Sequence, residues 1–100
     1  MLHNAKLVEV NPPAGDALEM RCTLASPTTS EQAWLESAGV AASAVVYLPL
    51  TGSPLPGISV GDVLVIQLDG QSQASWVAAH VSDRVGGVLR YRQVFVVEQA

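Results

Sequence analysis

A single cysteine, Cys22, stands in a chain of 100 residues, which excludes an internal disulfide and any cysteine-only metal site. Charge is scarce too. Five basic against nine acidic residues give a net charge of −4, and a general phosphate-backbone binder works through a Lys/Arg footprint that this balance does not supply. Uninterrupted apolar runs are missing as well. The longest uncharged stretch, Ser37 to Gly61, is broken by Pro49, Pro54, Pro56 and several glycines, whereas a membrane-spanning helix needs roughly 20 mostly apolar residues. At the N-terminus, residues Met1 to Lys6 have no charged region followed by an apolar core, so no secretory signal is expected. The expected address is the cytoplasm, or a particle assembled there.

What is present is apolar bulk. A hydrophobic fraction of 49% against 14% charged marks a packed globular chain, and its length predicts one domain over residues 1–100. From Leu2 to Val10 apolar and polar residues interleave, and the run stops at the turn-forming stretch Asn11 to Asp16. Ala17 to Leu24 then alternates, with Leu18, Met20 and Cys22 on one face and Glu19, Arg21 and Thr23 on the other. That pattern predicts a half-buried strand with Cys22 as a small core residue.

Helical character occurs once, from Ser26 to Gly39. Thr28 or Thr29 is placed to cap the first turn, with Glu31 or Gln32 three residues on to complete a capping box, and Gly39 is a natural stop. So short a helix needs packing to be stable. Trp34, with Leu35 and Ala38 beside it, is expected to anchor it on a sheet; the alternative is an exposed Trp34 that docks a partner.

A third strand is expected from about Ala44 to Leu50, running out into a projecting loop over Thr51 to Ile58. Val63 to Leu68 follows Gly61-Asp62 and is apolar on both faces, which predicts burial on both sides or a seat against a neighbouring subunit. Asp69-Gly70 is a strong hairpin signal, since both central positions of a tight turn favour residues that tolerate positive φ. Gln73 to Ser82 and Val88 to Glu98 form the last pair, with residues 89, 91, 95 and 97 on one apolar face and Arg90 and Arg92 on the other. Six candidate strands, one short helix and no βαβ spacing predict an all-β fold: a small antiparallel barrel with a projecting loop.

Catalytic chemistry has little to draw on. His3, His80 and Cys22 lie on three separate elements, and the close-spaced ligand pairs of a structural zinc are missing. His80 and Asp83 lie three apart, but odd spacing on a strand sends side chains to opposite faces, and no nucleophile elbow accompanies them. The glycines sit at expected turns, none opening a helix as a phosphate cradle does. No cofactor or metal is expected, and the chain reads as no enzyme. Three of the five basic residues, Arg84, Arg90 and Arg92, fall in the last hairpin. They form either a solvated outer face or polar contacts to a partner, for which arginine is favoured. Leu50, Leu55 and Ile58 give the Pro/Gly loop more apolar surface than a solvated loop needs, which points to contact with another surface.

The segments Ser59-Val60-Gly61-Asp62-Val63-Leu64-Val65-Ile66, Trp76-Val77-Ala78-Ala79-His80-Val81-Ser82-Asp83 and Tyr91-Arg92-Gln93-Val94-Phe95-Val96 together resemble the end of small neck proteins of tailed bacteriophages. These are the head-completion or head-closure proteins, also called head–tail connectors or tail attachment proteins. The resemblance covers residues 59–98. It implies a non-enzymatic virion protein that forms a ring on the portal, helps close the DNA exit channel and presents a docking surface to the tail, with the Thr51 to Ile58 loop meeting the portal or narrowing the channel. The partners so implied are further copies of the chain and the portal and tail proteins, with no membrane and no sequence-specific nucleic acid. The residues expected at such interfaces are Leu50, Leu55, Ile58, Trp34, Arg84, Arg90 and Arg92. Two other readings stay open: a stand-alone small-barrel module that binds a protein or peptide in the bacterial cytoplasm, and a toxin-like nuclease built on Arg84, Arg90 and Arg92 with Glu98 or Asp83.

Overall fold

A computed structural model describes residues 3–11, 20–50, 57–86 and 89–99, with backbone alone at 84–86 and 89. The alternating stretches form six strands and one helix in the order β1 (Ala5–Val10), β2 (Met20–Ala25), α1 (Thr29–Ala38), β3 (Ala44–Pro49), β4 (Val63–Leu68), β5 (Gln73–Gly86) and β6 (Leu89–Glu98). All neighbours pair antiparallel, and the sheet closes as a barrel in the order β1-β2-β3-β6-β5-β4. The sequence-based fold class thus stands. The one departure from a meander is that β3 and β4, consecutive in the chain, are not neighbours but stand on opposite sides of the barrel.

Period-two alternation sorts the side chains into two cores. Leu7, Cys22, Val46, Leu48, Leu64, Ile66, Val94 and Val96 belong to the cluster that fills the barrel. On the outer face, Val45 and Phe95 are covered by Leu35 of α1. The odd residues of β6 do share a face, but it is this outer one. Arg90 and Arg92 have the parity of the barrel-filling Val94 and Val96 and are not an outer face, because α1 supplies the apolar cover that lets Phe95 point outward.

Local chemistry sets the ends of these elements. Thr28 caps α1 by accepting from the Glu31 N–H at 3.2 Å while Glu31 Oε1 accepts from the Thr28 N–H at 2.8 Å, and Gly39 closes the helix at φ 71°. Asn4 extends the β1–β2 ladder with its side chain: Oδ1 accepts from the Leu24 N–H and Nδ2 donates to the Leu24 carbonyl, both at 2.8 Å. At the start of β4, Gly61 takes φ 95°, and the Asp62 carboxylate turns back to accept from the Ser59 N–H at 2.8 Å.

Strands alternate in direction around the barrel, so the connections β1–β2, β3–β4 and β5–β6 all leave from one end. There β5 outruns β4: β4 follows β5 only to Val77, while β6 follows it to Gly86 and β3 follows β6 to Tyr91. Sequence reading ends β5 at Ser82; the longer strand arises because Asp83, Arg84 and Val85 pair in register with Arg92, Tyr91 and Arg90.

Candidate interaction surface

The hairpin end of the barrel gathers several of the residues singled out by sequence. Leu50, half-buried, donates its N–H to the Arg90 carbonyl at 3.1 Å, which ties the exit of β3 to the hairpin. Arg92 binds Asp83 through Nε to Oδ1 at 2.7 Å and Nη2 to Oδ2 at 3.3 Å. This forked pair holds the Asp83 carboxyl below its usual range and the guanidinium above its own. Arg90 is exposed, and the backbone of Arg84 pairs with Tyr91.

Ile58 is a correction. Its loop composition predicts an exposed contact residue, yet its side chain is 8% exposed and packs in the barrel core with Leu48 and Leu64. Shortly before β4 this apolar side chain turns inward and adds to the core. Leu55 lies outside the described residues, as does the tip of the expected loop.

Trp34 sits apart from that end, on the outer face. Its ring stacks on Phe95 at 5.7 Å and 20° and meets His80 at 4.7 Å, yet 41% of the residue is exposed. Leu35 is the buried helix residue, and Ala38 is exposed. Trp34 therefore packs the helix on the sheet and stays part-exposed. Beside it lies a polar latch that sequence reading did not assemble: Glu31 Oε2 accepts from the Tyr47 hydroxyl at 2.6 Å and from the amide of Gln93, a residue 4% exposed. Burial pushes the Glu31 carboxyl up, but the hydrogen bonds from Thr28, Tyr47 and Gln93 outweigh it and leave it below its ordinary value. Burial, and then the facing carboxylate, push the Tyr47 phenol to about 12. The capping-box signal finds Glu31; its second oxygen's partners needed the β3–β6 register.

β4 is not buried on both sides within one chain. Leu64 and Ile66 point inward, whereas Val63 and Val65 are half-buried on the outside, and Val63, Val77 and Val97 stand opposite one another across β4, β5 and β6. Val97 is 38% exposed and the nearby Val60 66%. This row carries no charge.

Elsewhere, Arg21 grips Asp69 with both terminal nitrogens at 2.8 and 2.9 Å, bordering a shallow cleft of about 210 Å³. His80 packs outward on Trp34 while Asp83 faces Arg92, so the two do not meet. Among the described residues, no three His, Cys, Asp or Glu side chains converge as metal ligands, and no helix is long and apolar enough to cross a membrane. The described surface thus carries an apolar outer row, a half-exposed tryptophan and a β5–β6 pair that outruns β4. In comparisons with known proteins, no family model matches the chain, and neither a curated protein nor a solved structure matches it significantly.

Proposed function

We propose that this chain is a structural, non-enzymatic component of a tailed-phage neck, joining portal and tail as an oligomeric ring that helps close the DNA exit channel. The observation that carries the reading is the division of the barrel. One end takes the β1–β2, β3–β4 and β5–β6 connections together with Leu50, Arg90 and the Asp83–Arg92 pair. The wall carries the uncharged row Val63, Val77 and Val97. A ring subunit needs these two kinds of surface: an end for the neighbours along the channel axis, and a wall for the neighbouring copies. An uncharged wall suits contact between copies that each carry net charge −4, since like-charged proteins repel one another. The resemblance of residues 59–98 to phage neck proteins supports the same assignment, and so does the closed barrel.

Immunogold electron microscopy of tailed particles from the native host, with antibody against the purified chain, tests it. Gold at the junction of capsid and tail is the expected result. Tailed particles left unlabelled while the antigen stays in the soluble fraction would overturn the neck assignment. A stand-alone binding module is then the reading to pursue, favoured by the half-exposed Trp34 on the outer face.

A further inference from the structure

Little holds α1 to the barrel. Within Thr29–Ala38, Leu35 is buried and Glu31 half-buried, while the other residues are exposed, Trp34 at 41%. Among the described residues no backbone hydrogen bond joins α1 to a strand; the bonds at its two ends, from the Gln32 N–H to Thr28 and from the Val40 N–H to Leu35, are local. Attachment thus rests on three side chains. Leu35 covers Val45 and Phe95, Trp34 lies against Phe95 and His80, and Glu31 binds Tyr47 and Gln93.

The barrel closes without the helix. Its ladders run from strand to strand, and the cluster that fills it shares no residue with the outer cluster of Leu35, Val45 and Phe95. Taking α1 away would cost the outer cluster and spare the inner one. The helix has 10 residues, whereas an isolated helix shorter than about 12–15 residues is marginal in water, so α1 unwinds when it leaves the sheet. Docking and helix formation are then one event.

Glu31 couples the two. Its Oε1 accepts from the Thr28 N–H at 2.8 Å and completes the cap, while its Oε2 accepts from the Tyr47 hydroxyl at 2.6 Å and from the Gln93 amide. One carboxylate therefore stabilises the first turn and fastens that turn to β3 and β6. Few buried apolar contacts and solvent-exposed backbone bonds are the conditions under which a segment opens locally.

We infer that α1 is a lid that opens and unwinds as a unit on a barrel that stays closed, that Glu31 is its latch, and that opening uncovers the Val45 and Phe95 strip of β3 and β6. With the lid docked these two residues are 0% and 2% exposed, so the closed chain hides an apolar strip. A ring subunit and a free-standing module could both carry such a lid, so the inference does not depend on the neck assignment.

Amide exchange of the full-length chain, at a series of urea concentrations below the unfolding transition, is the first test. The amides from Ala33 to Ala38 should exchange faster than those of Val46 and Val94, which pair across β3 and β6, and with a shallower dependence on urea, because opening the lid exposes less surface than unfolding the barrel. Protection and urea slope equal to those of Val46 and Val94 would make α1 part of one cooperative unit and overturn the inference. Ala33→Pro is the second test. Ala33 is exposed, so this change breaks the helix without removing a packed side chain. Val46 and Val94 should stay protected, the chain should still melt cooperatively, and it should bind more of a fluorescent apolar dye than the native chain does; loss of that protection, or no gain in dye binding, overturns the inference. Tyr47→Phe takes one bond from Glu31 Oε2 and leaves the Thr28 cap in place, so it should speed α1 exchange several-fold. Unchanged α1 exchange would overturn the assignment of Glu31 as the latch.

Discussion

Replacing Ile58 by alanine separates a core plug from a contact residue. Ile58 is 8% exposed and belongs to the cluster that fills the barrel, so truncation removes buried apolar atoms from that packed core. Buried Ile→Ala changes cost about 2–5 kcal/mol. A domain of this length has about 5–15 kcal/mol in total, and each kcal/mol moves the thermal midpoint by about 4–8 °C at this size. The expected fall is therefore at least about 8 °C, with a smaller loss of about 0.5–1.5 kcal/mol for Ile58→Val. Val60, two residues on and 66% exposed, is the internal control: Val60→Ala should stay within about 0.5 kcal/mol. Urea and thermal melts followed by circular dichroism measure all three. An Ile58→Ala loss no larger than that of Val60→Ala would refute the placement of this side chain in the core and return it to the set of surface contacts.

Glu31 is held charged by its partners, so its folded-state pKa is depressed; the stabilisation is present above the unfolded value and is lost as pH falls through the folded one. Glu31→Gln should cost about 1 kcal/mol near pH 7, after discounting for partial exposure, and less near pH 3; a pH-independent difference between the two urea melts would contradict the latch. Burial pushes the Cys22 thiol to about 12, so a thiol reagent at pH 8 should label it only as fast as the barrel opens, with urea accelerating the reaction; fast labelling of the native chain would place Cys22 at the surface. Gly61→Ala should destabilise by about 1–3 kcal/mol, since φ 95° is strained for any Cβ-bearing residue. Gly57→Ala, where the space is open and no positive φ is required, should be neutral or slightly stabilising in the same melts.

The elements and their types were legible in the chain because their signals are local. The Thr28–Glu31 capping box and the Gly39 stop, the Asp69-Gly70 turn with Gly70 at φ 77°, and the alternation that buries Cys22 and Leu24 beside exposed Arg21 each depend on neighbours within a few residues. From those, six strands and a barrel follow. The interaction surface was legible only in part. Arg90, Arg92 and Leu50 do meet at one barrel end, but the composition of the loop misplaces Ile58, because a polar, Pro/Gly-rich segment gives no sign of which single side chain turns inward.

The sequence by itself determined the fold class, the single short helix and the shortage of charged groups that turns attention from chemistry to surfaces. Tertiary structure decided which face of β6 looks inward, because alternation defines two faces without saying that α1 covers one of them. It joined Glu31 to Tyr47 and Gln93, residues 16 and 62 positions away, since only strand register brings such distant groups within hydrogen-bonding reach. It also made β5 outrun β4, which pairs with it only as far as Val77 while β6 runs on to Gly86. A mismatch in the lengths of paired strands belongs to the assembled sheet and to no segment of the chain alone.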